Sequence, residues 1–150
     1  LYVALRRVND TFSLMALVIG LVAVTALIAS RPVLEIFTLS DLYTAAATET
    51  LKTFYLSAGE TFLLHFHGAA WHTYMLLGAV ASLINALLLL QSPSFSRALA
   101  FIGIVTFTIN LFFWIPVLGI ILLFVAMIGS VPWYILLARD FFRLARRTQS

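Results

Sequence analysis

Residues 98–138 read ALAFIGIVTFTINLFFWIPVLGIILLFVAMIGSVPWYILLA, and this apolar stretch decides the fold. Its 41 residues include no Asp, Glu, Lys, Arg or His. As one continuous helix it would measure about 60 Å, twice the roughly 30 Å hydrocarbon core of a bilayer. It must therefore fold back, and Pro116 and Gly119 near its centre predict the turn. The sequence predicts two membrane-spanning helices here, at about 97–115 and 117–138, the second kinked at Pro132.

The composition of the whole chain also indicates that the protein lies in a lipid bilayer. Hydrophobic residues make up 63% of the 150 positions and charged residues 10%, against roughly 45–50% and about 25% in soluble domains. A soluble domain of this size has too much surface for its volume to bury so many apolar side chains. The sequence therefore predicts an all-α, polytopic membrane protein with a single domain, 1–150. The net charge of +3 is too small to indicate nucleic-acid binding, and the lack of cysteine excludes disulfides and thiolate chemistry.

Two further stretches have the length and apolar character of a span, at about 11–30 and 61–90. Asp10 is the predicted N-cap of the first, and Ser57 with Glu60 has the S-x-x-E spacing of a capping box ahead of the second. The four predicted spans leave 31–60 as an external segment. Its polar residues recur at helical spacing, which predicts an amphipathic helix at the membrane surface or over the bundle, or alternatively a substrate lid. They are Asp41, Thr44, Thr48, Glu49 and Lys52.

The basic residues are distributed unequally between the two sides of this predicted bundle. Seven of the nine belong to the chain ends and to the connection between the second and third spans: Arg6, Arg7, Arg97, Arg139, Arg143, Arg146 and Arg147. The positive-inside rule assigns that side to the cytoplasm. We therefore expect a multi-pass protein of the cell (inner) membrane with both termini cytoplasmic.

Small and weakly polar residues form a stripe on several predicted helices, as expected where membrane helices pack closely. The stripe of the first span contains Ser13, Ala16, Gly20 and Ala23, and that of the third contains Gly103, Thr106 and Asn110. The stripe of the fourth contains Gly119, Ala126 and Ser130, with Gly129 beside them. Asn85 and Asn110 are expected to hydrogen-bond across the second and third spans. These patterns predict packing rather than chemistry.

All three histidines, His65, His67 and His72, fall on the predicted second span. His65 and His72 share one face with Gly68 and Ala69, but seven residues separate them by about 10 Å along the axis, too far to chelate one metal ion together. A haem or chlorophyll-type ring needs a single axial ligand, and the small neighbours leave room for a flat ring. The sequence thus offers His65 and His72 as candidate cofactor ligands, and hydrogen-bonded or hydrated histidines as the alternative.

No catalytic constellation accompanies these histidines. The chain has no G-x-S-x-G, Walker-type or H-E-x-x-H motif, and the four predicted spans contain no acidic residue or lysine for a proton pathway. A structural or interaction role is therefore expected, as an accessory subunit of a larger membrane complex or as a homo-oligomer. A binder of a ring cofactor or small hydrophobic molecule is the alternative, and a transporter or membrane enzyme has the least support.

Several short motifs lie at the ends of the predicted helices: Leu1-Tyr2 ahead of Arg6-Arg7-Val8-Asn9, then Gln91-Ser92 and Phe95-Ser96-Arg97 ahead of Gly103, then Pro132-Trp133-Tyr134 ahead of Phe142-Arg143-Leu144. In these the chain resembles a class of bacterial multi-pass membrane proteins catalogued as a domain of unknown function. The resemblance covers most of the chain and implies no activity or catalytic residue. Members tend to have additional N-terminal helices, so it implies that 1–8 is the cytoplasmic end of an upstream helix.

Overall fold

The computed structural model describes residues 1–66 and 68–148, which form an all-α fold without strands. Its helices are α1 (Tyr2–Leu5), α2 (Asp10–Ala29), α3 (Val33–Ala45), α4 (Glu49–His65), α5 (Ala69–Gln91), α6 (Arg97–Asn110) and α7 (Leu118–Thr148). The chain divides into two compact units. Unit 1 contains Leu1–Val22 and the chain from Met75 onward, and unit 2 is Ala23–Tyr74.

Three helical segments in the described residues are long and apolar enough to cross a membrane: Asp10–Ala45, Glu49–Gln91 and Leu118–Arg146. A shorter apolar helix, Arg97–Asn110, accompanies them. The fold is therefore that expected of a multi-pass membrane protein. The predicted span 11–30 agrees closely with α2, although Asn9 rather than Asp10 caps it, since Asn9 Oδ1 accepts from the Phe12 N–H at 3.1 Å.

The predicted helix 61–90 is corrected by the structure, because α4 ends at His65 and α5 begins at Ala69. The predicted external helix is divided as well, between α3 and α4. Thr48 provides the start signal that sequence reasoning missed, since its hydroxyl accepts from the Leu51 N–H at 3.3 Å. Ser57 and Glu60 consequently lie inside α4, and the predicted capping box is wrong.

The turn between α6 and α7 lies where predicted but begins earlier, so that α6 ends at Asn110 instead of 115. Hydrogen bonds between residues close in sequence hold the turn, including one from the Phe113 N–H to the Asn110 carbonyl at 3.3 Å. Pro116 disfavours helical geometry at the residue before it, and Val117 follows with a φ of 66°, a conformation rare for a β-branched residue. The apolar run therefore needs seven residues to reverse. At its other end, α7 continues past the predicted limit at 138 as far as Thr148.

Small residues occupy the buried faces of the helices, as the stripes predicted. On α2, Ser13, Ala16 and Ala23 are almost fully buried. In unit 1, a Cβ built on Gly129 would lie 2.6 Å from Thr106 Oγ1, and one on Gly20 would lie 3.8 Å from Ala81 Cβ. Large apolar side chains lie on the opposite faces and are exposed, among them Leu21, Ile120, Phe124, Ile128 and Ile135.

Trp133 of α7 forms the centre of the unit 1 core. Its ring meets Phe107 of α6 edge to face, with centroids 5.0 Å apart and planes at 85°. Leu5, Leu89 and Leu99 belong to the same buried cluster, so helices α1, α5, α6 and α7 all contribute to it. Asn110 Oδ1 is buried without a hydrogen-bond partner in the described part of the chain, so this oxygen does not accept the bond expected from Asn85.

Candidate functional site

The predicted cofactor ligands His65 and His72 lie at the two sides of the α4–α5 break, in unit 2. Both side chains are exposed, whereas Ala79 and Ala86, further along α5, are buried. The two histidines belong to separate helices, so they do not lie seven residues apart on one continuous helix as the sequence predicted. His67 lies outside the described residues.

His72 has the more defined geometry of the two. Its Nδ1 lies 3.0 Å from the carbonyl oxygen of Gly68. A carbonyl oxygen only accepts, so Nδ1–H is the donor in this contact. Histidines that ligate metals through Nε2 donate Nδ1–H to a backbone carbonyl in the same way. The described residues contain no group of three or more His, Asp or Glu placed to hold a metal ion, and an axial ligand to a ring would act singly.

Arg31 makes a long-range polar contact in unit 2, which we call the Arg31 clasp. Its Nη1 donates to the carbonyl of Phe66, the C-cap of α4, at 3.0 Å. The guanidinium carbon lies 5.0 Å from the centroid of the Phe66 ring and 4.5 Å from that of Trp71. The arginine thus satisfies a helix-terminal carbonyl while its charge lies over two aromatic faces.

The position of the clasp in the chain defines its role. Arg31 directly precedes Pro32 and α3, and Phe66 directly follows α4, so the contact joins the two ends of the segment that forms the α3–α4 hairpin. In the sequence, Arg31 is recognisable only as part of the Arg31-Pro32 pair that follows the apolar stretch 11–30 and marks its end. Its pairing with Phe66 and Trp71 spans 35 and 40 positions, and local spacing carries no signal for it.

We expect replacement of Arg31 by lysine to destabilise the clasp by about 1–2 kcal/mol, because lysine keeps the charge but loses the planar stacking on Phe66 and Trp71. Heat-induced unfolding in detergent measures the effect. The exposed Arg97 supplies the control, since Arg97→Lys should change stability by less than about 0.5 kcal/mol. Equal effects of the two substitutions would contradict the role given to Arg31.

A second polar centre lies in unit 1, where the start of α6 meets the last third of α7. Asp140 is 3% exposed. Its Oδ2 accepts from the Ser96 N–H at 2.8 Å, and its Oδ1 accepts from Nε and Nη2 of Arg139 at 3.2 and 3.0 Å. Ser96 in turn caps α6 through its hydroxyl, which accepts from the Leu99 N–H at 3.4 Å. The carboxylate therefore ties two helices together through one buried charge.

A cleft of about 140 Å³ opens beside this centre, between the α5–α6 connection and α7. We define it by six of its lining residues: Ser94, Phe95, Ser96, Asp140, Arg143 and Leu144. Arg143 Nη1 lies 3.9 Å from Asp140 Oδ1, and its side chain is 65% exposed. Sequence reasoning did not single out Asp140, although an acidic residue between Arg139 and Arg143 is a signal for a local ion pair.

Comparison with known proteins adds no relative: the chain matches no protein-family model, no curated protein and no solved structure. The resemblance at the helix ends therefore stays a prediction. The function of the chain has to be inferred from the distribution of its side chains and from the two polar centres.

Proposed function

We propose that this chain is an integral membrane protein of structural or interaction type, which crosses the bilayer four times with both termini in the cytoplasm. In this proposal α2, α5, α6 and α7 are the spans, and α3 with α4 forms an external hairpin. It serves as an accessory subunit of a larger membrane complex or assembles with copies of itself. No catalytic step is assigned to it.

The observation that carries the proposal is the broad exposure of large apolar side chains on α2 and α7. The buried faces hold Ser13, Ala16, Gly103 and Ala126, whereas large apolar side chains cover the outside of α2 and α7. In water such a surface would associate or precipitate. In lipid it is solvated, and close approach of backbones at small residues supplies the packing.

The positions of the arginines in unit 1 support a common side for both ends of the chain. Ser96, at the start of α6, is bonded to Asp140 near the end of α7, so Arg97 and Arg139 lie at the same end of this helix pair. Leu5 of α1 is buried in the cluster that includes Phe95 and Leu99. Because the positive-inside rule places arginine-rich helix ends in the cytoplasm, we assign this end of the helices to the cytoplasmic side.

Membrane extraction and terminal tagging test this arrangement. The chain should stay in the membrane pellet after alkaline carbonate treatment and dissolve only in detergent. Tags at the two termini should both be protected from protease in intact cells and both be cleaved in inverted vesicles. Recovery of the chain in the carbonate supernatant would refute membrane integration, and accessibility of the two tags from opposite sides would refute the four-span arrangement.

The structural role itself is tested by gentle purification in detergent. A constant ratio to another membrane protein, or a discrete oligomer in size analysis with light scattering, is the expected result. A dispersed monomer at all concentrations without a stoichiometric companion would contradict it.

A second candidate function, binding of a haem or chlorophyll-type ring, is favoured by the exposed His72, whose Nδ1 lies 3.0 Å from the Gly68 carbonyl oxygen. Backbone contacts of this kind orient imidazoles that ligate metals. The visible absorption spectrum of the gently purified protein tests it. A Soret or chlorin band that His72→Leu abolishes and His65→Leu leaves in place would support His72 as the axial ligand. A colourless preparation would exclude this candidate.

A further inference from the structure

We propose that the cleft between the α5–α6 connection and α7 binds the phosphate group of an anionic phospholipid, with Arg143 as its principal donor. This inference goes beyond the structural role proposed above and rests only on the membrane placement in that proposal. Three properties of the cleft support it: charge, position and size.

Together with the adjacent Arg139, the cleft has two guanidinium groups facing one carboxylate, which leaves one positive charge unbalanced. The Asp140 carboxylate lines the cleft, but Ser96 and Arg139 occupy both its oxygens at 2.8–3.2 Å. Arg143 approaches the same carboxylate only to 3.9 Å and is largely exposed. A guanidinium carries five N–H donors in a planar fork that matches two phosphate oxygens. Arg143 can therefore keep its long contact to Asp140 and bind a second anion.

The position of the cleft along α7 matches that of a lipid headgroup. The uncharged run of α7 ends at Ala138, and Arg139, Asp140 and Arg143 follow within the next two turns. Headgroups lie at this boundary, and the anionic lipids of the cytoplasmic leaflet are attracted to basic residues there. Phe142, next to Arg143, is 71% exposed and offers an apolar surface for the first part of an acyl chain.

The size of the cleft selects a small group. Its volume of about 140 Å³ is well below the roughly 300–1,000 Å³ of pockets that enclose whole small molecules. A phosphate group fits this volume, and the remainder of a larger ligand would lie outside the cleft. The hydroxyl of Ser94, an exposed residue at the mouth of the cleft, is a second donor within the lining.

Native mass spectrometry of the full chain in a neutral detergent tests the proposal, with short-chain phosphatidylglycerol as the probe. We expect a first saturable adduct that Arg143→Gln weakens by roughly tenfold, the cost of one charge-assisted hydrogen-bonding group. Arg143→Lys should restore part of the affinity, because it returns the charge without the fork. Arg146→Gln is the matched control, since it removes the same charge one turn further along α7, outside the cleft lining.

Each other outcome would overturn the proposal. Equal weakening by Arg143→Gln and Arg146→Gln would mean diffuse attraction to a basic surface and no site. Equal binding of phosphatidylcholine of the same chain length would remove the selection for an anionic lipid. Competition by glycerol phosphate as strong as that of the lipid would identify a soluble phosphate as the ligand. Unchanged thermal unfolding of Arg143→Gln verifies that the variant is folded, and carbonate extraction reports separately on the membrane placement.

Discussion

Replacing Gly103 by alanine should lower the stability of unit 1 by about 1–3 kcal/mol, and replacing it by leucine should lower it further. A Cβ built on Gly103 would lie 2.5 Å from Trp133 Nε1 and 2.9 Å from Ala86 Cβ. Both neighbours belong to helices that meet α6 in the core, and Trp133 is held edge to face by Phe107. Trp133 is 3% exposed, so the indole has to be displaced within a packed core to admit the methyl group. Unfolding in detergent, followed by near-ultraviolet circular dichroism of the tryptophans, measures the loss.

Gly59 provides a control with the opposite expected sign. It lies inside α4, and a Cβ built there meets nothing within 4 Å. Gly59→Ala should therefore stabilise the protein by about 0.5–1 kcal/mol through helix propensity alone. A stabilised Gly103→Ala variant would show that α6 and α7 do not pack as described, whereas destabilisation by both substitutions would indicate a general effect of the added methyl group.

The fold class was predictable because lipid simplifies the physical problem. Every backbone polar group must be satisfied inside the bilayer, so a long uncharged run such as 98–138 has to be helical and has to reverse within the chain. The small-residue stripe of α2 was predictable for a related reason: with lipid tails as apolar as leucine, size rather than hydrophobicity decides which face packs. The burial of Ser13, Ala16 and Ala23 confirms it.

The helix boundaries in 31–69 were not predictable in the same way. Both S-x-x-E at Ser57 and the lone Thr48 are admissible start signals, and the choice between them depends on the pairing of α3 with α4, which no local pattern encodes. In the sequence, the sign of the break between α4 and α5 was the single glycine at position 68, a residue type of low helix propensity. Because the break separates His65 from His72, the predicted histidine face failed with it.

The polar centres depend on long-range contacts and were out of reach of spacing arguments. Arg31 meets residues 35 and 40 positions away, and Asp140 meets Ser96 44 positions away. From the sequence alone, Arg31 and Asp140 look like charged residues at helix ends. Their structural roles become visible only in the folded chain, where a donor and an acceptor distant in sequence come within hydrogen-bond distance.

Asp140→Ala should be the most damaging single change to a charged residue of the described chain, with a loss of about 2–3 kcal/mol. Breaking a buried ion pair by removing one partner costs roughly 3–5 kcal/mol. We expect the lower figure because Arg139 and Arg143 are 42% and 65% exposed, so that water can solvate them once the carboxylate is gone. The Ser96 N–H at the start of α6 loses its acceptor in the variant.

Asparagine at this position separates the two contributions of Asp140. Asp140→Asn keeps an oxygen that can accept from the Ser96 N–H but loses the charge that Arg139 and Arg143 face. It should therefore cost about half as much as alanine, on the order of 1–1.5 kcal/mol. The exposed Asp10 is the reference, and Asp10→Ala should stay within about 0.5 kcal/mol of the parent chain. If Asp140→Ala unfolds in detergent at the same temperature as Asp10→Ala, the carboxylate does not join α6 to α7, because a buried acceptor that holds a helix start cannot be removed without a measurable loss.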